Sequence, residues 1–152
     1  ALGFGWLQSR IGTRTTYLLT LGLWLLAILA IWQTQGLTAL LASGLGVSWE
    51  AQYVFLVAGV LAGASLGSSQ SAGRALVGVL TPAGKQAEFF GLWGMASKLA
   101  AVFGMFGLGL IQWGIGLADA ILFCLLLFGL AMLCVLPLDE RRGEAVAESW
   151  RD

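Results

Sequence analysis

The sequence predicts an all-α, polytopic membrane protein with four transmembrane helices. Three observations carry this. Of the 152 residues, 59% are hydrophobic and only 11% are charged, where a soluble domain carries about 25%, and the mean hydropathy is +0.88. Four apolar runs each approach the roughly 20 residues that a helix needs to cross a bilayer. The basic residues Arg10, Arg14, Arg74, Lys85, Lys98, Arg141, Arg142 and Arg151 fall into three zones, separated by long stretches without Lys or Arg.

The elements follow in order. Residues 1–15 read as a cytoplasmic loop holding Arg10 and Arg14. The chain opens on Ala1 within an apolar stretch, so we expect it to be part of something longer. A signal peptide over 10–44 would need a basic start, and the apolar residues before Arg10 argue against one. The first span is 16–32, "TYLLTLGLWLLAILAIW". Residues 33–51 mix Gly, Thr, Ser and Gln, and read as a helix end, an extracytoplasmic loop and the next helix start. The second span is 52–73. Residues 74–91 form a cytoplasmic loop around the turn-like Thr81-Pro82-Ala83-Gly84. The third span is 92–113. The fourth is 117–138, closed by Pro137 and the charged "DERRGE". The tail, 139–152, reads as cytoplasmic and solvated.

Loops without Lys or Arg alternate with loops that carry them, as the positive-inside rule requires of antiparallel spans. Both ends of the segment and the 74–91 loop are therefore expected in the cytoplasm. Trp32, Trp49 and Trp113 fall at the other interface, where indoles prefer to sit.

Composition also excludes. The chain has no histidine, and no nucleophile, base and acid cluster in sequence, so no enzyme, cofactor or metal site is expected. No continuous basic surface exists for nucleic acid. Cys124 and Cys134 would lie about 15 Å apart along one helix, too far to pair.

The polar groups near the spans are the candidates for function. Gln70 and Arg74 are four residues apart and share a helix face. Arg74 lies about 33 Å along a helix starting near Gln52, so at the cytoplasmic surface. Glu88 begins the third span on the same side, and we expect Arg74 and Glu88 to form an intracellular latch. Lys98 is placed one to two turns inside the membrane. An intramembrane charge is a functional candidate by default, although Gly94 and Gly91 leave room for its stem to snorkel. Gly59, Gly63 and Gly67 recur every four residues, with Ser71 continuing the row. Such a row allows close helix packing or lines a pathway. No acid falls at mid-span, so a proton-coupling carboxylate is expected elsewhere.

Two stretches carry a family resemblance. "GWLQSRIGTR" (5–14) resembles the cytoplasmic loop signature of the major facilitator superfamily, with Gly5, Leu7, Arg10, Gly12 and Arg14 matching and Ser9 in place of an aspartate. "QSAGRALVGVLTPAGKQAEFFGLWGMASK" resembles one branch, the unidentified-major-facilitator permeases related to autophagy-related vacuolar amino-acid effluxers. Gln70, Arg74, Leu80, Pro82, Ala87, Glu88, Phe89, Phe90, Gly91 and Lys98 fit that pattern, as does the late "DERRG". The resemblance implies that the four spans are the last four of a twelve-helix major facilitator fold. It also implies secondary transport of a small solute, such as an amino acid, by alternating access. The implied partners are the lipid bilayer, the missing N-terminal helices and a small-molecule substrate. The membrane would be a bacterial inner membrane, or a vacuolar-type one in a eukaryote. The rival reading is a stand-alone four-helix protein, either a dimeric small exporter or a non-catalytic scaffold or partner subunit.

Overall fold

The chain enters its first long helix through a glycine. Gly12 has φ +86°, a conformation that a Cβ disfavours, and α1 follows at once as Thr13–Trp32. The structure, a computed structural model, describes residues 9–45 and 50–150. Gly5, Leu7 and Trp49 lie outside them. The further helices are α2 Thr34–Leu45, α3 Ala51–Val79, α4 Gln86–Ile115, α5 Leu117–Val135 and α6 Glu140–Ser149. Among the described residues there is no strand. The helices α1, α3, α4 and α5 are long and apolar enough to cross a membrane.

Helix α1 is the hub. It packs against α3 on one side and α5 on the other, and α5 in turn packs against α4. The order in space is α3–α1–α5–α4, with α3 and α4 touching little beyond their connecting turn. Trp24 joins three helices at one point. Its ring stacks on Phe128 of α5 with centroids 4.8 Å apart, and its indole N–H donates to Ser69 Oγ of α3 at 3.3 Å.

The α1–α3 contact is built from small residues, as membrane packing favours. Thr16 and Thr20 on α1, with Ala58, Ser65, Ser68 and Ala72 on α3, are all buried. Their hydroxyls cost little to bury because each bonds a carbonyl of its own chain close by, for example Ser65 to Leu61 and Ser68 to Ala64. Between α4 and α5 the approach is closer still, since a Cβ on Gly107 would come within 2.7 Å of the Phe123 ring. The connection there is the single residue Gly116, at φ +87°.

Three expectations change. Residues 33–51 read as mainly loop, yet Thr34–Leu45 is helical. The backbone bonds run across Gln33, from Gln33 N–H to Leu29 O at 2.8 Å and from Leu37 N–H to Gln33 O at 2.9 Å. Thr34 and Thr38 turn their hydroxyls onto the preceding turn, which offsets their weak helix propensity. Between the second and third spans, the helices continue to Val79 and resume at Gln86, so only 80–85 is non-helical. The tail reads as solvated in sequence. Instead, Pro137 follows the end of α5, Asp139 accepts from the N–H groups of Arg141 and Arg142 at 3.1 and 3.2 Å, and α6 follows.

Candidate functional site

Most of the described charged side chains gather at one end of the bundle, where α1 begins, α5 ends and the 80–85 turn lies; Glu50 and Asp119 are at the other. The geometry starts at the N-terminus of α1, whose first N–H groups have no cap from the local sequence. Glu140 supplies it from the tail. Its Oε1 accepts from Thr13 N–H at 3.2 Å and its Oε2 from Arg14 N–H at 3.0 Å. Burial alone would raise the Glu140 carboxyl. The N–H groups of Arg14 and Thr13, the Thr13 hydroxyl and the Arg14 charge outweigh it and hold the group below its ordinary value of 4.5. The Arg14 guanidinium in turn donates to the Leu136 carbonyl, one of the carbonyls a helix leaves unbonded at its C-terminus. Gly12 and Arg14 of the loop signature thus meet the "DERRG" tail, and Arg10 lines the same polar cleft as Asp139, Glu140 and Glu144.

Register places the other candidates in depth. Tyr17 of α1 lies level with Gly73 of α3, where a Cβ would meet its ring at 3.6 Å. Arg74 therefore sits about one turn inside the start of α1. Lys98 lies as far before the Gly116 turn as Cys134 lies after it. Since α5 ends at Val135, Lys98 is within about one turn of that end. Beyond it, α4 projects a further ~18 Å to Gln86 at 1.5 Å per residue. Arg14, Arg74 and Lys98 thus lie within a few turns of one another at the same end of the bundle.

Arg74 and Glu88 do not form the expected latch. The Arg74 guanidinium lies 5.6 Å from the centroid of the Trp93 ring, which Phe90 meets edge-on at 6.4 Å. A cation over an indole face is held by the ring quadrupole. Glu88 occupies the first turn of α4, where a carboxylate is favoured by the helix dipole. Neither Glu88 nor Lys98 has an ion-pair partner among the described residues. Both are exposed, as is Gln70.

The glycine row faces nothing among the described residues. A Cβ on Gly59, Gly63 or Gly67 would find no atom within 4 Å. The small residues that pack α3 on α1 are Ala58, Ser65, Ser68 and Ala72, on the opposite face. The open side of α3 thus carries Gly59, Gly63, Gly67, Gln70, Ser71 and Arg74 together. Sequence reasoning missed Glu140, Trp93 and Trp24. For Glu140 a signal existed: Pro137 followed by Asp139 marks a helix stop and a new N-cap.

Four long apolar helices, with their basic connections gathered at one end, define a polytopic α-helical membrane protein. The chain belongs to the Atg22-like family: residues 1–148 match the family described as "Vacuole effluxer Atg22 like". That is a family of transporters of the major facilitator type, as the sequence implied. Autophagy-related protein 22 of Candida glabrata is 30% identical over 97 residues, a match covering 62% of this chain and 18% of that protein. The matched stretch is less than a fifth of its relative's length. No solved structure matches the chain.

Proposed function

We propose that this chain is the C-terminal four-helix part of a secondary transporter that moves a small solute, with an amino acid as the first candidate, by alternating access. The observation that carries this reading is the family match over 1–148. The open side of α3 supports it. In a bilayer an exposed amide needs a partner, and Gln70 on a row of bare glycines suits a polar pathway better than lipid. In this reading the preceding helices of the same protein face that side. The end holding Arg14, the 80–85 turn and α6 is cytoplasmic, in keeping with its basic residues, and Trp32 and Trp113 mark the opposite interface. The membrane is a bacterial inner membrane, or a vacuolar-type one if the source is eukaryotic.

The test is solute release. The full-length protein is reconstituted into liposomes preloaded with labelled amino acids, and efflux is compared with protein-free liposomes. Release that saturates with internal solute supports the reading. Equal leakage from both, across the amino acids and other small solutes tried, refutes it.

A further inference from the structure

The tail helix and the residue after it touch α1, the end of α3 and the 80–85 turn at the basic end of the bundle, and each contact is different. Glu140 caps the first turn of α1 with both carboxylate oxygens. Arg14 returns a bond to the end of α5 at Leu136. Gly143 lies so close to α3 that a Cβ there would run into the Leu80 side chain. Lys85, at the end of the 80–85 turn, stands 5.0 Å from the Trp150 ring centroid. Ala147, on the inner face of α6, is buried at 6% exposure. Without α6, the α3–α4 turn would hang between two helices that barely touch along their length.

We propose that α6 is a strap that closes this end of the bundle, and that it must leave either the α1 N-terminus or the 80–85 turn before the end can open. The device rests on the alternating-access reading above. Its parts have unequal strength. The Glu140 cap is charge-assisted and doubly bonded, so it is the fixed end. The Lys85–Trp150 contact is a single cation–π pair near the surface, worth less, so it is the end that lifts first. Opening in this order keeps Glu140 on α1 while the turn between α3 and α4 swings free, carrying Arg74 and Trp93 with it.

The experiment reads opening directly and needs no transported solute. In full-length protein with Cys124, Cys134 and any other thiols replaced, a single cysteine is placed at Ser71, on the open side of α3. Its labelling rate by a membrane-impermeant maleimide is measured from the side on which α6 lies. Trp150→Ala is expected to raise the rate a few-fold. Glu140→Ala severs the other end of the same strap, so it is expected to raise the rate by a similar few-fold factor and no more, because the weaker end limits what the strap holds, with Glu140→Asp recovering part of the difference. A control cysteine at Gly59, toward the other end of α3, should not follow. Unchanged rates at Ser71 in both variants overturn the strap. So does an equal rise at Gly59, which means general loosening. If Glu140→Ala does not accumulate, Trp150→Ala leaves the cap intact and decides alone. An inert wild type in the efflux assay would sink the transport reading while leaving this measurement intact.

Discussion

Trp24 is the point at which α1, α3 and α5 are tied, so its removal should loosen the bundle more than any other single truncation on α1. The ring stack on Phe128, at 4.8 Å and 20° between planes, is worth about 0.5–1.5 kcal/mol beyond contact area. The bond to Ser69 is long at 3.3 Å, and interhelical bonds in membrane proteins average about 0.6 kcal/mol. Truncating a buried Trp to Ala costs about 3–5 kcal/mol in soluble cores. Here the ring is only half-buried, and lipid tails solvate what the cut exposes, so we expect about 2–3 kcal/mol on these principles. Trp24→Phe keeps a ring over Phe128 and loses only the N–H, for about 0.5–1 kcal/mol. The assay is thermal unfolding of the full-length protein in detergent, with Trp24→Phe and Ser69→Ala also combined in a double-mutant cycle. A Trp24→Ala loss below about 1 kcal/mol, with a coupling to Ser69 indistinguishable from zero, would show that the three-helix tie has been misjudged.

Three other predictions concern the open side and the tail. Glu140→Gln should destabilise the protein near neutral pH by about 1–2 kcal/mol, since its bonds are charge-assisted but partly solvated. Because the folded carboxyl sits below its ordinary value of 4.5, that advantage is present above the unfolded value and fades as pH falls through the folded one. Melting curves of the two proteins should converge in acid, and a gap that persists there would contradict the cap. Gly63→Leu should leave melting within about 0.5 kcal/mol of wild type, as a change at an unpacked site does, while lowering efflux. A large fall in melting temperature instead would mean that another helix packs on the row. Arg74→Lys should retain much of the wild-type efflux, since an ammonium also sits over an indole, whereas Arg74→Ala and Trp93→Ala should fail together. A Trp93→Ala variant with full efflux would dismiss the cation–π contact as incidental.

The spans were legible because a bilayer imposes a length, and a long run of uncharged apolar residues fits few places but a membrane. The sidedness of the loops rests on Lys and Arg alone. What the sequence hid was rotation. Gly59, Gly63 and Gly67 recur every four residues, and so do Ser68, Ala72 and Leu76, on the opposite face. A period of four names a face without saying what lies against it, and here the buried row is the second. Lys98 is a different case. Its depth is set by the Gly116 turn and by where α5 stops, and neither can be read from the residues around it. The tail is largely exposed, as its charges imply, but its docking was not legible from the segment itself. Its partners, Thr13 and Arg14, stand 127 and 126 residues away.

The open faces bear on whether these helices work alone. In water, an α4 with no buried residue along its 30 positions would be a fault. In a bilayer it is not, because lipid meets Phe103 at 72% exposure and Phe106 at 70% as well as another side chain would. Exposure of apolar groups therefore says nothing about missing partners. The polar groups do. Lipid cannot satisfy Gln70, and it gains little from three bare glycines in a row. Helix α3 turns its hydroxyl-rich face inward to α1, where Ser65 and Ser68 already bond carbonyls of their own helix, and leaves Gln70 and the glycine row outside. A sequence under selection only to sit in lipid would place them the other way round. The side of α3 that looks unfinished is therefore the side on which the proposed transport reading places a partner helix or a solute.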